Sequence, residues 1–356
     1  MSIDGTSTVV LGLVAVLLFT AVLALLWDRI RVVGRAGLIT LIVLAVAATS
    51  ALEVNRLTET YPSWSALTGK EPAVPADVPD ASDAPSEAPP APGAGRLVTY
   101  QVAGAASGMN MPLAVYLPAA YFTPAGRELN FPVIEALHGY PGTPQSWLKR
   151  LDIVGRLDQE MAAGRMAPTV VLLPFQTPNR LLDTECTDMA GGPRAETYVT
   201  KDVPEWARTH LRVRTDRSAW GLTGYSAGAF CAMNLLLKHP DKYVAAASLS
   251  GYADPGIKVG DQSEKTTNNI AWRMTHVPLP AVSMWVGWAS DDKDASAGSR
   301  QIVALAKPPL TAVTGVVPRG GHSHAVWRQM EGPAFDWLSA HLARPTPISA
   351  GRRGPA

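Results

Sequence analysis

The chain has little charge and little cysteine. Only 17% of its 356 residues are Asp, Glu, Lys or Arg, against the quarter usual in soluble domains. Its 31 basic and 30 acidic residues leave a net charge of +1, which excludes the broad basic face of a general nucleic-acid binder, so no nucleic-acid partner is expected. Two cysteines are too few for a disulfide-built scaffold and lack the spacing of a zinc site. An ordinary hydrophobic core must therefore hold the fold, with no metal and no cofactor expected. Hydrophobic residues reach 47%, which excludes a largely disordered chain.

Much of that apolar content is concentrated at the start. Residues 9–27 form an uncharged apolar run, long enough to cross a bilayer core of roughly 30 Å as a helix. Asp28, Arg29, Arg31 and Arg35 follow, and a second apolar run covers residues 36–52. The pattern predicts a transmembrane helical hairpin within residues 1–55. Neither run has the amphipathic period of a surface helix, and a cleaved signal peptide would need a basic stretch where residues 1–8 have none. Arginines in the short connection place it in the cytoplasm by the positive-inside rule, so everything beyond Leu52 faces outward. The expected location is the cell membrane, with the later domain extracytoplasmic.

A join and spacer over 56–95 follows. From Lys70 to Gly95 it is dominated by Pro, Ala, Asp, Glu and Ser; such a composition buries no core and favours extended chain, spanning up to roughly 75 Å at about 3.1 Å per residue. The tail, 344–356, rich in Pro, Gly and Arg, is expected to be disordered.

Residues 96–343 suit one large α/β domain. Short apolar stretches at 97–103, 111–117, 131–137, 169–173, 220–222, 244–249, 281–286 and 310–317 read as strands. Helical patterns at 153–163, 195–210, 227–238, 295–306 and 325–341 separate most of the later ones. This order implies a mostly parallel sheet with helices on both faces and an antiparallel edge formed by the first strands.

Chemistry enters with Gly224-Tyr225-Ser226-Ala227-Gly228, a G-x-S-x-G string placed after a short strand and at the start of a helix. A serine on such a tight turn has a strained backbone, and the flanking glycines avoid clashes across it. Its hydroxyl needs an imidazole base oriented by a carboxylate, in the chain order Ser, acid, His. Three aspartates, Asp291, Asp292 and Asp294, follow one late strand, and His322 and His324 follow the next. Gly320 and Gly321 suit a sharp turn delivering His322, while His324 begins the last helix. Asp292 is the chosen acid with Asp291 next; Asp294 reads as a helix N-cap. Backbone N–H groups of Ala227 and of Tyr140, in Leu137-His138-Gly139-Tyr140-Pro141-Gly142, are the oxyanion candidates. His138 is read as structural, and His239 as a helix stop signal.

These segments, with Lys238-His239-Pro240-Asp241 and Gly320-Gly321-His322-Ser323-His324-Ala325-Val326-Trp327, resemble the esterase branch of the α/β-hydrolases, which includes esterase D-like enzymes and the antigen 85 mycolyltransferases. The resemblance covers residues 96–342. It implies an α/β-hydrolase fold with Ser226 as nucleophile, His322 as base and Tyr140 and Ala227 as oxyanion donors; Trp327, just beyond the histidine, fits the pattern. The 290–293 segment departs from it, and the hairpin lies outside what antigen 85 proteins contain, although outward-facing domains of this kind behind membrane helices are familiar in actinobacteria.

The expected activity is hydrolysis of an acyl ester, with a lipid or glycolipid among the candidate substrates. Acyl transfer to a cell-envelope sugar or lipid hydroxyl is the alternative, and an inactive envelope-binding module a third reading. An outward compartment permits Cys186 and Cys231 to pair; two separate core thiols is the other reading. The polar stretch 252–276 reads as a lid or a surface loop, and Trp272, Trp285, Trp288 and Trp327 as acyl-pocket walls or core.

Overall fold

The computed structural model describes residues 3, 6–58, 61, 64–68, 91, 93–179 and 181–348. The chain divides into two compact units, Met1–Ala76 and Asp77–Ala356. The spacer expected over 70–95 falls almost wholly outside the described residues.

In the first unit, two helices, Thr6–Leu26 and Val32–Thr58, fold back on one another. Small residues let them approach: a Cβ at Gly12 would collide with the Thr49 hydroxyl, as at the small-residue contacts of membrane helix pairs. Both are long and apolar enough to cross a membrane. Their apolar side chains are mostly uncovered, Leu25 being 79% exposed, unlike the core helix of a globular domain. At the connection, Arg35 donates through Nε to the Trp27 carbonyl at 3.0 Å and lays its guanidinium over the indole. Both helices start earlier than the apolar runs suggest, and the second also ends later.

The second unit is built on an eight-stranded sheet in the order β1-β2-β5-β4-β6-β7-β8-β9. The strands are β1 Arg96–Ala103, β2 Asn110–Leu117, β4 Val133–Leu137, β5 Val170–Pro174, β6 Trp220–Tyr225, β7 Ala245–Leu249, β8 Ser283–Ala289 and β9 Thr311–Val317. β1 and β2 form the antiparallel edge, and the other six run parallel. Parallel strands need crossover helices, which cover both faces, so β4 to β7 are buried along their whole length. Successive side chains alternate between two cores: Val133 and Leu222 join Phe230 and Met233 on one side, Ile134 joins Trp147, Phe335 and Leu338 on the other. The helices Ile153–Ala162, Ala227–Lys238, Lys293–Leu305 and His324–His341 lie close to the expected bounds.

Some expectations change. Pro132, which has no N–H for a ladder, splits the stretch expected over 131–137. Phe131 is left as an isolated bridge to Val213, and Leu129–Asn130, ahead of the expected stretch, form a separate strand, β3, paired with β10 Thr346–Pro347. The tail is therefore structured to 348, where disorder was expected from 344. The helix expected over 195–210 contains a wider turn at Tyr198–Asp202, and the 252–276 excursion ends in a short helix, Ile270–His276, capped by Asn269.

Because the six parallel strands point one way, the loops after β4, β6, β8 and β9 emerge at one edge of the sheet. Those loops carry every residue singled out for chemistry.

Candidate active site

Ser226 follows β6 directly and opens the helix Ala227–Lys238 with φ 55° and ψ −123°. A non-glycine residue held there costs about 1–3 kcal/mol and persists only where its surroundings dictate it. Here the surroundings are backbone. A Cβ at Gly224 would strike the Gly228 carbonyl, and one at Gly228 would strike the carbonyls of Leu137 and His138. Substituting either glycine would push the elbow off the sheet.

The His322 imidazole meets Ser226 through Nε2 at 2.8 Å from Oγ. On its other side, Nδ1 lies 2.6 Å from Oδ2 of Asp292. With the Nδ1 proton held by the carboxylate, Nε2 is the free acceptor for the serine proton. The imidazole side chain is 40% exposed and the carboxylate 6%, so the ring stays reachable from solvent while its partner is shielded. Trp327 presents its face or edge to His322 at 5.1 Å between centroids and stacks on Tyr225.

The three aspartates separate by position. Asp292 caps the helix Lys293–Leu305, its Oδ1 accepting from the Ala295 N–H at 3.3 Å, while its other oxygen faces His322. Asp294, expected as the N-cap, instead lies inside the first turn. Asp291 accepts from Gly320 N–H at 3.1 Å and Gly321 N–H at 2.9 Å, so it fastens the turn that delivers His322. The same two N–H groups, Gly321 foremost, hold its carboxyl below the usual carboxylate range.

The 138–140 loop lies against the serine: a Cβ at Gly139 would stand 3.2 Å from the Ser226 Cβ. Three side chains pin it. Trp147 donates through Nε1 to the Leu137 carbonyl at 3.0 Å, and the Tyr140 hydroxyl donates to the Leu181 carbonyl at 2.9 Å. The Gln176 amide, oriented to match its partners, donates to the His138 carbonyl and accepts from the His138 N–H, both at 3.0 Å. His138 itself is buried with Nδ1 2.9 Å from the Gly139 carbonyl. Burial pushes its imidazole down to about 4, so it is neutral and structural.

Other candidates lie elsewhere. His324 begins the last helix and packs on Tyr225 and Trp327. His239 bonds Glu196 at 2.8 Å and ends the helix Ala227–Lys238. Trp285, Trp288 and Trp327 are buried in the core. A disulfide joins Cys186 to Cys231 with Cα atoms 5.6 Å apart, tying the loop after β5 to the helix that starts at Ser226. Gln176 and the turn-fastening role of Asp291 carry no sequence signal, since each acts on backbone distant in the chain.

A family model described as "Putative esterase" matches residues 104–344, well over half of the chain. The chain belongs to this esterase family. The chain is 25% identical over 241 residues to an uncharacterised protein of Corynebacterium glutamicum, a match covering 63% of this chain and 56% of that one. It is 34% identical over 65 residues to the diacylglycerol acyltransferase/mycolyltransferase Ag85A of Mycobacterium tuberculosis, covering 18% of this chain and 19% of that one. The chain thus spans a little over half the length of the first relative and less of the second. A ferulic acid esterase shares its fold with a TM-score of 0.61 at 20% identity, covering 70% of this chain and 99% of that structure.

Proposed function

We propose that this chain is a serine esterase of the carboxylic-ester hydrolase type, held at a membrane by the helices Thr6–Leu26 and Val32–Thr58 with its catalytic domain outside the cell. The observation that carries the reading is the hydrogen-bonded sequence Ser226 Oγ, His322, Asp292, at 2.8 and 2.6 Å. Ser226 attacks the ester carbonyl while His322 Nε2 takes its proton; the tetrahedral oxyanion is met by the N–H groups of Ala227 and Tyr140. Collapse expels the alcohol, which leaves with the proton from His322, and an acyl-enzyme remains. Water, deprotonated by the same imidazole, then releases the acid. Asp292 keeps the imidazole in the Nδ1–H tautomer throughout.

A second reading, transfer of the acyl group to a sugar or lipid hydroxyl, is favoured by the similarity to the Ag85A segment. The two differ only in which hydroxyl reaches the acyl-enzyme. A radiolabelled acyl donor, incubated with the full-length protein with and without a carbohydrate acceptor, separates them: free acid in both supports hydrolysis, and an acylated acceptor supports transfer. No turnover of any ester, with Ser226→Ala indistinguishable from wild type, would leave only a binding module. For the topology, protease added to intact cells should remove the catalytic domain, and an intact mass should retain the first helix; a protected domain would reverse the orientation.

A further inference from the structure

A depression of about 680 Å³ opens among Arg208, Thr209, Thr215, Arg217, Asp241 and Lys242. It lies away from the serine. Arg217 precedes β6 and Lys242 precedes β7, whereas Ser226 leaves the opposite end of β6, six residues and about 20 Å further on. The parallel sheet thus separates this depression from the active-site edge.

Its lining carries three cations and one carboxylate. Each cation is aimed by a neutral partner. The Arg208 guanidinium lies over the Trp220 ring at 4.7 Å. Arg217 donates through Nη2 to the Ala281 carbonyl at 3.1 Å, and Lys242 through Nζ to the Thr200 carbonyl at 2.9 Å. A carbonyl or an aromatic face orients a cation without cancelling its charge. Nearby cations behave differently: Arg214 pairs with Asp216, and Lys238 with Glu196. Among the described residues, Arg208, Arg217 and Lys242 have no such ion pair. Arg208 Nε, moreover, is buried without a hydrogen-bond partner.

A further carboxyl, Glu135, lies behind the depression, within the field of Arg208 and Lys242. Burial pushes it up to about 8, against the pull of the Tyr243 hydrogen bond and the two cations. It therefore holds its proton at neutral pH and cancels little of the field. Two guanidinium forks and an ammonium around one open depression are a donor set for oxygens that carry negative charge.

We propose that this depression is a second, non-catalytic site that binds a phosphoryl group, whether of a free phosphate or of an anionic lipid headgroup. The inference does not depend on the esterase chemistry. The test follows thermal unfolding of the full-length protein in neutral detergent. One arm compares inorganic phosphate with chloride at equal ionic strength; the other compares micelles doped with phosphatidylglycerol or with phosphatidylcholine. Ligand near 100 times its Kd should raise the melting temperature by roughly 5–10 °C. The rise should vanish in the Arg217→Gln/Lys242→Gln protein and fall by about half in Lys242→Gln alone. A rise with phosphate assigns the free anion, and a rise with phosphatidylglycerol only assigns the headgroup. No rise in either arm, or an undiminished rise in the double variant, would overturn the site. Ester hydrolysis by the double variant should stay within twofold of wild type; a parallel loss would show that the depression serves the catalytic centre, overturning its non-catalytic assignment.

Discussion

Asp292→Asn is the substitution whose effect follows most closely from the geometry. The two carboxylate oxygens have two tasks: Oδ1 accepts from the Ala295 N–H at 3.3 Å and Oδ2 faces His322 Nδ1 at 2.6 Å. An asparagine has one oxygen. If that oxygen turns to His322, the amide NH₂ faces the Ala295 N–H, which loses a cap worth about 1 kcal/mol and leaves opposed donors costing about 1–3 kcal/mol. If it turns to Ala295, the cap survives, but the NH₂ drives the imidazole into its other tautomer, with a proton on Nε2 pointing at Ser226. The second arrangement is thus favoured by roughly 2–4 kcal/mol, leaving a competent imidazole in about one molecule in 30 to one in 1,000. Loss of the negative charge beside the developing imidazolium lowers the rate further, to a total of roughly 10³–10⁴ in kcat. Because asparagine caps a helix about as well as aspartate, the melting temperature should hardly move. Steady-state hydrolysis of a chromogenic ester, with a melting curve on the same preparation, reads both quantities. A kcat within tenfold of wild type would refute the assignment, and a larger loss in Asp291→Asn would move the role to that residue.

Asp291→Ala should lower kcat/KM by roughly ten- to a hundredfold by loosening the turn that aims His322, with Asp291→Asn in between; equal activity in all three proteins would show that Gly320 and Gly321 hold the turn unaided. Removing the disulfide with Cys186→Ala and Cys231→Ala frees a cross-link spanning 45 residues, for a loss of about 4 kcal/mol on the chain-entropy account and roughly 10 °C in melting temperature; an unchanged melting curve would contradict it. Glu331, buried in the helix His324–His341 with both carboxyl oxygens unpartnered, is pushed by burial up to about 9 from an ordinary 4.5. The folded state therefore keeps a proton that the unfolded chain releases, so stability falls as pH rises across that window and levels off above it. Glu331→Met should widen its stability advantage over wild type from about pH 5 to 9, and a gap that stays constant with pH would count against the shifted carboxyl.

How far the sequence could be read depended on whether a task was local. The elbow is local: Gly224, Ser226 and Gly228 stand two residues apart, and their clash-avoiding roles are implied by the turn itself. The mostly parallel sheet with its antiparallel edge was legible for the same reason, since alternating apolar stretches and helical patterns lead to parallel strands, and such a sheet fixes which loop ends share an edge; the order of the strands within it was not. His322 could be preferred over His324 because two glycines precede it. The aspartates resisted because strand end, helix cap and imidazole partner all call for the same side chain within four residues. In the structure Asp292 performs two of those tasks at once, which no spacing rule separates. The roles of Gln176, on the His138 backbone, and of Asp291, on residues almost thirty positions later, arise only when distant loops converge. Pro132 was overlooked as a ladder breaker inside the 131–137 stretch, and the pairing of Leu129–Asn130 with Thr346–Pro347 joins segments too far apart for local pattern to reveal.

The central claim is that Ser226 is an activated nucleophile, and covalent capture tests it most directly. Full-length protein treated with a fluorophosphonate at neutral pH should gain the mass of one phosphonyl group, located by peptide mapping to Ser226. Ser226→Ala should gain none, and His322→Ala should label far more slowly. Absence of an adduct on the wild type, or an adduct on another residue that persists in Ser226→Ala, would contradict the account.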